Sequence, residues 1–162
     1  MVKVKSLLIV LLVFSFLSLS FMTLKDLKDA DELYERINAL SYKEFARAPG
    51  WGERSRATIP HQEGQEIYVD IYINDVILEA LEANEPLEEW PVGSLLVKDT
   101  YVNGEYTSVG ANEKRKDGWV IMQWNADGVA EFAGKPKVCW NCHKIGDDMV
   151  RAFRFPQYQD SK

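Results

Sequence analysis

Residues 94–124 read SLLVKDTYVNGEYTSVGANEKRKDGWVIMQW, and this stretch decides the fold. Ser94–Tyr101 and Gly118–Trp124 are rich in β-branched and aromatic residues, a composition that is typical of strands. Asn103-Gly104 is a dipeptide that favours a two-residue hairpin turn, so a further strand is predicted near Glu105–Val109. The stretch therefore predicts an antiparallel sheet built from neighbouring segments of the chain.

The segments between and around these strands predict turns. The run Glu113–Asp117 (EKRKD) is charged throughout, and such runs are more typical of a solvated turn than of a buried strand. Residues 53–65 contain Pro60 and Gly64 and are predicted to form a loop. Downstream, Asn125–Gly128 predicts a turn and Val129–Phe132 a further short strand.

Upstream of this stretch, one strand and two helices are predicted. In Glu66–Asn74 (EIYVDIYIN) Ile and Val alternate with Tyr, Asp and Asn, so the two groups fall on opposite faces. This alternation and the content of Ile, Val and Tyr indicate a strand. Asp75–Ala83 predicts a short helix with its cap at Asn74 or Asp75. In Leu27–Leu40 apolar residues recur near one helical face. The pattern predicts an α+β fold, mainly an antiparallel β-sheet with flanking helices.

The N-terminus has the pattern of an export signal. Lys3 and Lys5 precede an apolar and hydroxyl-bearing run, Ser6–Met22, as in a signal peptide. The run is also about long enough for an uncleaved membrane anchor. Either alternative places the rest of the chain outside the cytoplasm, which in a bacterium is the periplasm. We therefore expect a signal peptide or anchor over residues 1–20, a helical segment over 21–47 and the main domain over 48–162.

The net charge limits the classes of partner. The formal charge of −6 becomes −8 when Lys3 and Lys5 leave with residues 1–20. An acidic domain without a basic stripe is a poor fit to nucleic acid or to an anionic membrane, but it suits a basic redox partner. Five Trp, seven Tyr and seven Phe provide aromatic bulk that can pack around a large flat cofactor.

The pentapeptide Cys139-Trp140-Asn141-Cys142-His143 carries the chemistry. Its C-x-x-C-H spacing is the attachment signature of c-type haem, in which each thiol adds to one vinyl group and the histidine is the proximal iron ligand. The chain holds two cysteines and two histidines. A dithiol redox pair, a disulfide and a zinc site are the alternatives. A disulfide leaves His143 unexplained, and a zinc site needs ligands from elsewhere. One covalent haem c is predicted.

The order of these pieces resembles the cytochrome P-460 family, which also contains the cytochromes c′-beta. The resemblance spans roughly residues 45–156. It lies in the following segments: Ile67–Asn74, Pro91–Asp99, Asp117-Gly118-Trp119, the haem motif and Asp148-Met149-Val150.

The resemblance implies a fold and two chemistries. The fold is an antiparallel sheet flanked by helices, usually dimeric, with one haem against the sheet. The iron is five-coordinate, with His143 proximal and an open distal side. In the P-460 branch a lysine is bonded to the haem macrocycle and hydroxylamine is oxidised, with nitric oxide used to reach nitrous oxide. In the c′-beta branch the cross-link is absent and nitric oxide is bound in an apolar pocket. The expected ligand is thus a small gaseous or nitrogenous molecule.

The resemblance also assigns roles to residues outside the motif. Lys98 looks like the cross-linking lysine, whereas the residue pattern alone predicts a solvated lysine beside Asp99. Val69 falls where the hydroxylamine oxidisers are expected to carry a polar pocket residue, and an apolar residue there favours gas binding. Apart from the resemblance, proton removal from hydroxylamine would favour a distal carboxylate, and Glu113 could supply one, although its charged run is more typical of a solvated turn.

A sixth iron ligand would change the function. His61, in the loop before the Glu66–Asn74 strand, is one candidate, and it would make the chain a six-coordinate electron-transfer cytochrome. Met122 and Met149 are the other candidates, although both are more simply explained as core residues. Three functions therefore stay open: nitric oxide binding, hydroxylamine oxidation and electron transfer.

Overall fold

The computed structural model describes residues 22–57 and 64–159, which form an α+β fold with an open antiparallel sheet. The predicted signal or anchor over residues 1–20 and the candidate ligand His61 lie outside the described residues. The helices are α1 (Leu24–Ala39), α2 (Asp75–Ala83) and α3 (Lys137–His143). The strands are β1 (Ala46–Arg47), β2 (Ser55–Arg56), β3 (Ile67–Ile73), β4 (Leu95–Val102), β5 (Glu105–Arg115), β6 (Gly118–Asn125) and β7 (Ala130–Phe132). Short 3₁₀ turns cover Tyr42–Glu44 and Pro156–Tyr158.

The described part of the sheet has seven strands in the order β1-β3-β4-β5-β6-β7, with β2 also paired to β3. The predicted hairpin is confirmed, because Asn103 and Gly104 both have positive φ (51° and 91°), as a two-residue turn between β4 and β5 requires. The predicted loop over residues 53–65 is wrong at Ser55–Arg56, which pairs with β3. A two-residue strand carries too little periodicity to be recognised in the sequence.

The prediction that Glu113–Asp117 is a solvated turn is wrong for most of its length. β5 runs to Arg115, and both Glu113 and Lys114 are buried. Glu113 accepts hydrogen bonds from Arg36 of α1 and from Arg115. Charged residues can be buried when they are paired, and these partners come from distant parts of the chain.

Side-chain caps set where α1 and α2 begin. Thr23 and Asp26 form a capping box, in which the Thr23 hydroxyl accepts from the Asp26 N–H and the Asp26 carboxylate accepts from the Thr23 N–H. α1 therefore starts three residues before the predicted Leu27. Asn74 caps α2, whose bounds agree with the prediction. Within the described residues, none of the helices has the length and apolar character needed to cross a bilayer.

The sheet separates two apolar clusters. On the far face α1 buries Ala30, Leu33 and Ile37 in the same cluster as Val97 and Trp124 of the sheet. The near face is defined by these residues: Val69 and Ile71 of β3, Leu96 of β4 and Ile121 of β6. The near face is covered partly by the C-terminal segment, where Trp90 packs against Phe153 and Phe155, and partly by α3. The space between α3 and the near face is the candidate site.

Candidate functional site

The helix α3 brings the motif residues to one cavity. Cys139, Cys142 and His143 are spaced i, i+3 and i+4, so they share one face of the helix. All three line a cavity of about 420 Å³ between α3 and the near face of the sheet. The sequence predicts that the motif opens a helix, but α3 begins two residues earlier and ends at His143.

The cavity walls are largely apolar. The near-face side chains form one side of the cavity, and Trp51 and Ala152 contribute from the segments around it. The polar lining residues are Lys98, Asn112, Gln123 and Arg151. A volume of about 300–1,000 Å³, apolar walls and a few placed polar groups are typical of cofactor sites.

The imidazole of His143 is held in one orientation. Its Nδ1 lies 3.0 Å from the backbone oxygen of Met149 and 3.0 Å from the side-chain amide of Asn112. A carbonyl oxygen can only accept, so the contact with Met149 is a hydrogen bond when Nδ1 carries the proton. The amide atom that faces Nδ1 is Asn112 Nδ2, and in this tautomer the contact is a hydrogen bond only when the amide nitrogen and oxygen are exchanged. Burial lowers the pKa of His143, which favours the neutral ring at pH 7.

In this tautomer the second nitrogen, Nε2, is unprotonated and available as a ligand. Within the described residues Nε2 of His143 makes no hydrogen bond. A histidine that donates its other N–H to a backbone carbonyl is the usual arrangement of a metal ligand, because the hydrogen bond fixes the ring and increases its basicity. His143 could therefore bind a metal ion through Nε2.

The loop that follows α3 places the Met149 carbonyl. A Cβ on Gly146 would overlap the carbonyl of Val150, so only glycine allows this turn. Asp148 and Met149 both have positive φ (44° and 71°), a conformation that is uncommon for residues with side chains. The loop therefore depends on contacts outside itself.

Those contacts converge on Asp148. Its Oδ2 accepts hydrogen bonds of 2.9 Å from the Trp90 backbone N–H and from Lys114 Nζ of β5. Lys114 also donates to Glu89. The side chain of Lys114 is 8% exposed and that of Asp148 is 18% exposed, so their ion pair is only weakly screened by solvent. This ion pair links the loop beneath His143 to the sheet.

Lys98 lies on the cavity side of β4. Strand alternation puts it on the same face as Leu96, and its cross-strand neighbour on β5 is Gly110. A Cβ on Gly110 would lie 3.8 Å from Lys98 Cε, so the glycine leaves room for the lysine stem. Burial lowers the pKa of Lys98, and within the described residues no carboxylate pairs with it. The lysine thus faces the cavity that the two cysteines line.

The two cysteines are free thiols. Burial raises the pKa of the Cys139 thiol. Arg151 Nη1 donates to Cys142 Sγ over 2.6 Å. Among residues 22–57 and 64–159 no group of three or more His, Cys, Asp or Glu side chains is arranged to hold a metal ion.

Together these residues fit a covalently attached haem. Two thiols line the cavity on the same helical face, as attachment to two vinyl groups requires. An adjacent neutral imidazole has one nitrogen fixed and the other free. The near face offers a broad apolar surface, which Gly110 widens by its lack of a side chain.

The other predicted site residues are distributed unequally. Val69 lines the cavity, as the resemblance implies. Glu113 points to the far face of the sheet, where it accepts hydrogen bonds from Arg36 and Arg115, and it does not line the cavity. Met122 and Met149 are buried in the two apolar clusters, which confirms them as core residues.

A scan of the chain against protein-family models finds no matching family, and a search of curated proteins finds no similar sequence.

The sequence analysis missed three groups of the site. Asn112 lies in a segment that had been assigned to no element, and strand alternation from Gly110 would have placed it towards the cavity. The Met149 carbonyl is a backbone acceptor and has no signal in the sequence. The pairing of Asp148 with Lys114 joins residues 34 positions apart.

Proposed function

We propose that this chain is an exported monohaem c-type cytochrome of the cytochrome P-460 family, acting on small nitrogen oxides, with nitric oxide binding as its leading activity. The observation that supports this most directly is that Cys139, Cys142 and His143 line one apolar cavity with Nε2 of His143 available. When bound, haem supplies an iron centre that can take a diatomic gas. Export and a homodimer, which the resemblance implies, belong to the same proposal.

Five residues would attach the haem or orient its histidine ligand. Cys139 and Cys142 would hold the macrocycle through two thioether bonds, and His143 would supply a nitrogen ligand to the iron. Met149 and Asn112 keep the imidazole from rotating. Because the imidazole of His143 is already held in one orientation, it does not lose conformational freedom when it binds the iron.

The apolar walls favour a neutral gas as the ligand. Val69, Ile71 and Leu96 present hydrocarbon to the cavity and cannot hydrogen-bond a hydroxylamine molecule. Desolvating a polar substrate without compensating hydrogen bonds costs about 1–3 kcal/mol per group, whereas nitric oxide loses little hydration. The apolar part of the wall therefore supports gas binding, whereas Lys98, Gln123 and Arg151 of the same cavity carry groups that can hydrogen-bond a polar substrate.

Lys98 supports hydroxylamine oxidation as the second candidate. Its amine shares the cavity with both cysteines, which is the position a cross-link to the macrocycle requires. Forming an N–C bond breaks one N–H and one C–H bond and releases two protons and two electrons, so a two-electron oxidant such as a peroxide must accept the electrons. A cross-linked protein would be lighter by those two hydrogens than the same protein with thioether bonds alone.

The test is to produce the full chain together with c-type maturation machinery and to examine the purified protein. Haem should remain attached under denaturing conditions, and a Cys139→Ser/Cys142→Ser variant should lose it. The ferrous spectrum then separates the candidates. A high-spin c-type spectrum that changes when nitric oxide is added supports gas binding. A strongly red-shifted Soret band supports the cross-link.

Matched variants identify the residue responsible. If Lys98 is cross-linked, Lys98→Arg should abolish the red shift and restore the mass of the two hydrogens, whereas Lys116→Arg on the exposed turn should change neither. A six-coordinate low-spin spectrum would contradict both nitrogen-oxide activities and would support the electron-transfer alternative. Absence of covalent haem in a host that loads other c-type cytochromes would contradict the proposal as a whole.

A further inference from the structure

The helix α3 has a second face that the cavity does not use. Lys137, Asn141 and Lys144 are spaced along the outer side of the helix and are exposed, as are two apolar residues beside them. Val138 is 65% exposed and Ile145 is 69% exposed. Large apolar side chains next to cations at a surface are typical of a contact site that must exclude water at its centre.

This outer face is continuous with the mouth of the cavity. Val138 and Arg151 both line the cavity and are exposed to solvent, so they stand at its rim. A protein that covers the outer face of α3 would also cover this rim. The distance from the surface of such a partner to whatever occupies the cavity would then be short.

The charge around the rim is opposite to that of the chain. Residues 135–154 contain five cations and two carboxylates, a formal charge of +3, so the remainder of the chain carries −9 to give the total of −6. Both carboxylates are already paired, Asp147 with Arg154 and Asp148 with Lys114. Within the described residues, four of the cations make no salt bridge: Lys135, Lys137, Lys144 and Arg151.

We propose that the outer face of α3 and the rim of the cavity form a docking surface for an acidic electron-transfer protein. This rests on the proposed function, because a haem iron that binds nitric oxide in the ferrous state, or that oxidises hydroxylamine, needs a partner to supply or remove electrons. The net charge alone suggested a basic partner, and the local charge reverses that expectation. An extended polyanion is a poorer fit, because the acidic remainder of the chain would repel it outside this small surface.

The docking surface is tested by titrating the isotope-labelled full chain, as purified, with a hexaglutamate peptide and following amide chemical shifts. We expect shifts confined to residues 135–151 that disappear at high salt. Lys137→Glu/Lys144→Glu should abolish them. Lys25→Glu/Lys28→Glu makes the same change in net charge on α1, where both lysines are exposed, and should leave them unchanged.

Electron transfer gives an independent measurement on the haem-loaded protein. The ferrous protein passes one electron to ferricyanide, a trianion, or to tris(phenanthroline)cobalt(III), a trication, and becomes ferric. If the rim controls the encounter, the rate with ferricyanide should fall about tenfold as ionic strength rises from about 0.01 M to about 1 M, because the Debye length shortens from about 30 Å to about 3 Å. Reversal of Lys137 and Lys144 should remove this dependence.

Three results would overturn the proposal. Shifts that spread over lysines elsewhere, or no shifts at all, would show that the surface is not selective for acidic partners. A ferricyanide rate that rises with ionic strength would show that the net charge dominates. Self-association lost in Lys137→Glu/Lys144→Glu would make a second copy of this chain the occupant. A chain without haem would contradict the proposed function, whereas the titration would still decide about the surface.

Discussion

Removing the charge of Asp148 should destabilise the protein by an amount that can be worked out from its contacts. Asp148 accepts one hydrogen bond from Lys114 and one from the Trp90 backbone. A hydrogen bond to a charged group contributes about 1.5–3 kcal/mol, and an unsatisfied buried donor costs about 1–3 kcal/mol. After Asp148→Ala, Lys114 would keep only Glu89, whose exposed carboxylate is screened by solvent. We expect a loss of about 2–4 kcal/mol.

A series of variants separates charge from backbone strain. Asp148→Asn keeps an acceptor for the Trp90 N–H and tolerates the positive φ, so it should lose only about 1–2 kcal/mol. Asp148→Ala adds the strain of a left-handed alanine. Asp31→Asn on α1 is the control, because Asp31 is exposed and no described residue pairs with it, and it should stay within about 0.5 kcal/mol of the wild type.

Urea-induced unfolding followed by tryptophan fluorescence measures these free energies, since Trp90 is buried beside the loop. A second measurement follows the ring nitrogens of His143 by NMR. If the loop holds the Met149 carbonyl, Asp148→Ala should mix the two tautomers. An Asp148→Asn variant as stable as Asp31→Asn, with a single His143 tautomer in both, would refute the role given to this ion pair.

Three further predictions concern the cavity. Lys98→Met should raise the free energy of unfolding of the haem-free chain by about 0.5–2 kcal/mol in thermal or urea unfolding, because it removes a half-buried cation that no carboxylate among the described residues pairs with. Lys116→Met on the exposed turn should have no effect, and an equal gain in both variants would contradict this. The pKa of His143 is lowered in the folded state, so its contribution to stability is present above its ordinary pKa of 6.5 and is lost as pH falls below it. The difference in free energy of unfolding between the wild type and His143→Gln, measured at a series of pH values, should show this loss. Parallel curves for the two proteins would exclude it. Gly146→Ala should cost about 2–3 kcal/mol, because its Cβ would displace the Val150 carbonyl, and an unchanged thermal midpoint would show that the loop adapts.

The regular elements could be predicted because their signals are local. β3 shows strand alternation, α2 follows an asparagine cap and the turn between β4 and β5 has the dipeptide its geometry requires. β1 and β2 were missed because two residues show no period. The charged end of β5 was misassigned because the partners that allow its burial, such as Arg36 and Asp148, are remote in the chain.

The site could be predicted where its residues follow from the spacing of residues along the sequence. The positions of Cys139, Cys142 and His143 on one helical face follow from the motif itself. The position of Lys98 follows from the alternation of β4, in which it shares a face with Leu96. The hydrogen bond from His143 to the Met149 carbonyl could not be predicted, because every residue has a carbonyl and only the loop conformation selects this one.

Two lysines on the near face of the sheet differ in their partners. Lys114 and Lys98 lie on neighbouring strands with side chains on the same face; Lys114 is buried, and Lys98 is half-buried at the cavity. Lys114 is paired with two carboxylates, as a buried cation requires for stability. Within the described residues Lys98 has no such partner and faces two thiols instead. Because local rules of burial are broken mainly at functional sites, the unpaired amine supports the proposal that the cavity, rather than the ion pair beside it, is the functional site.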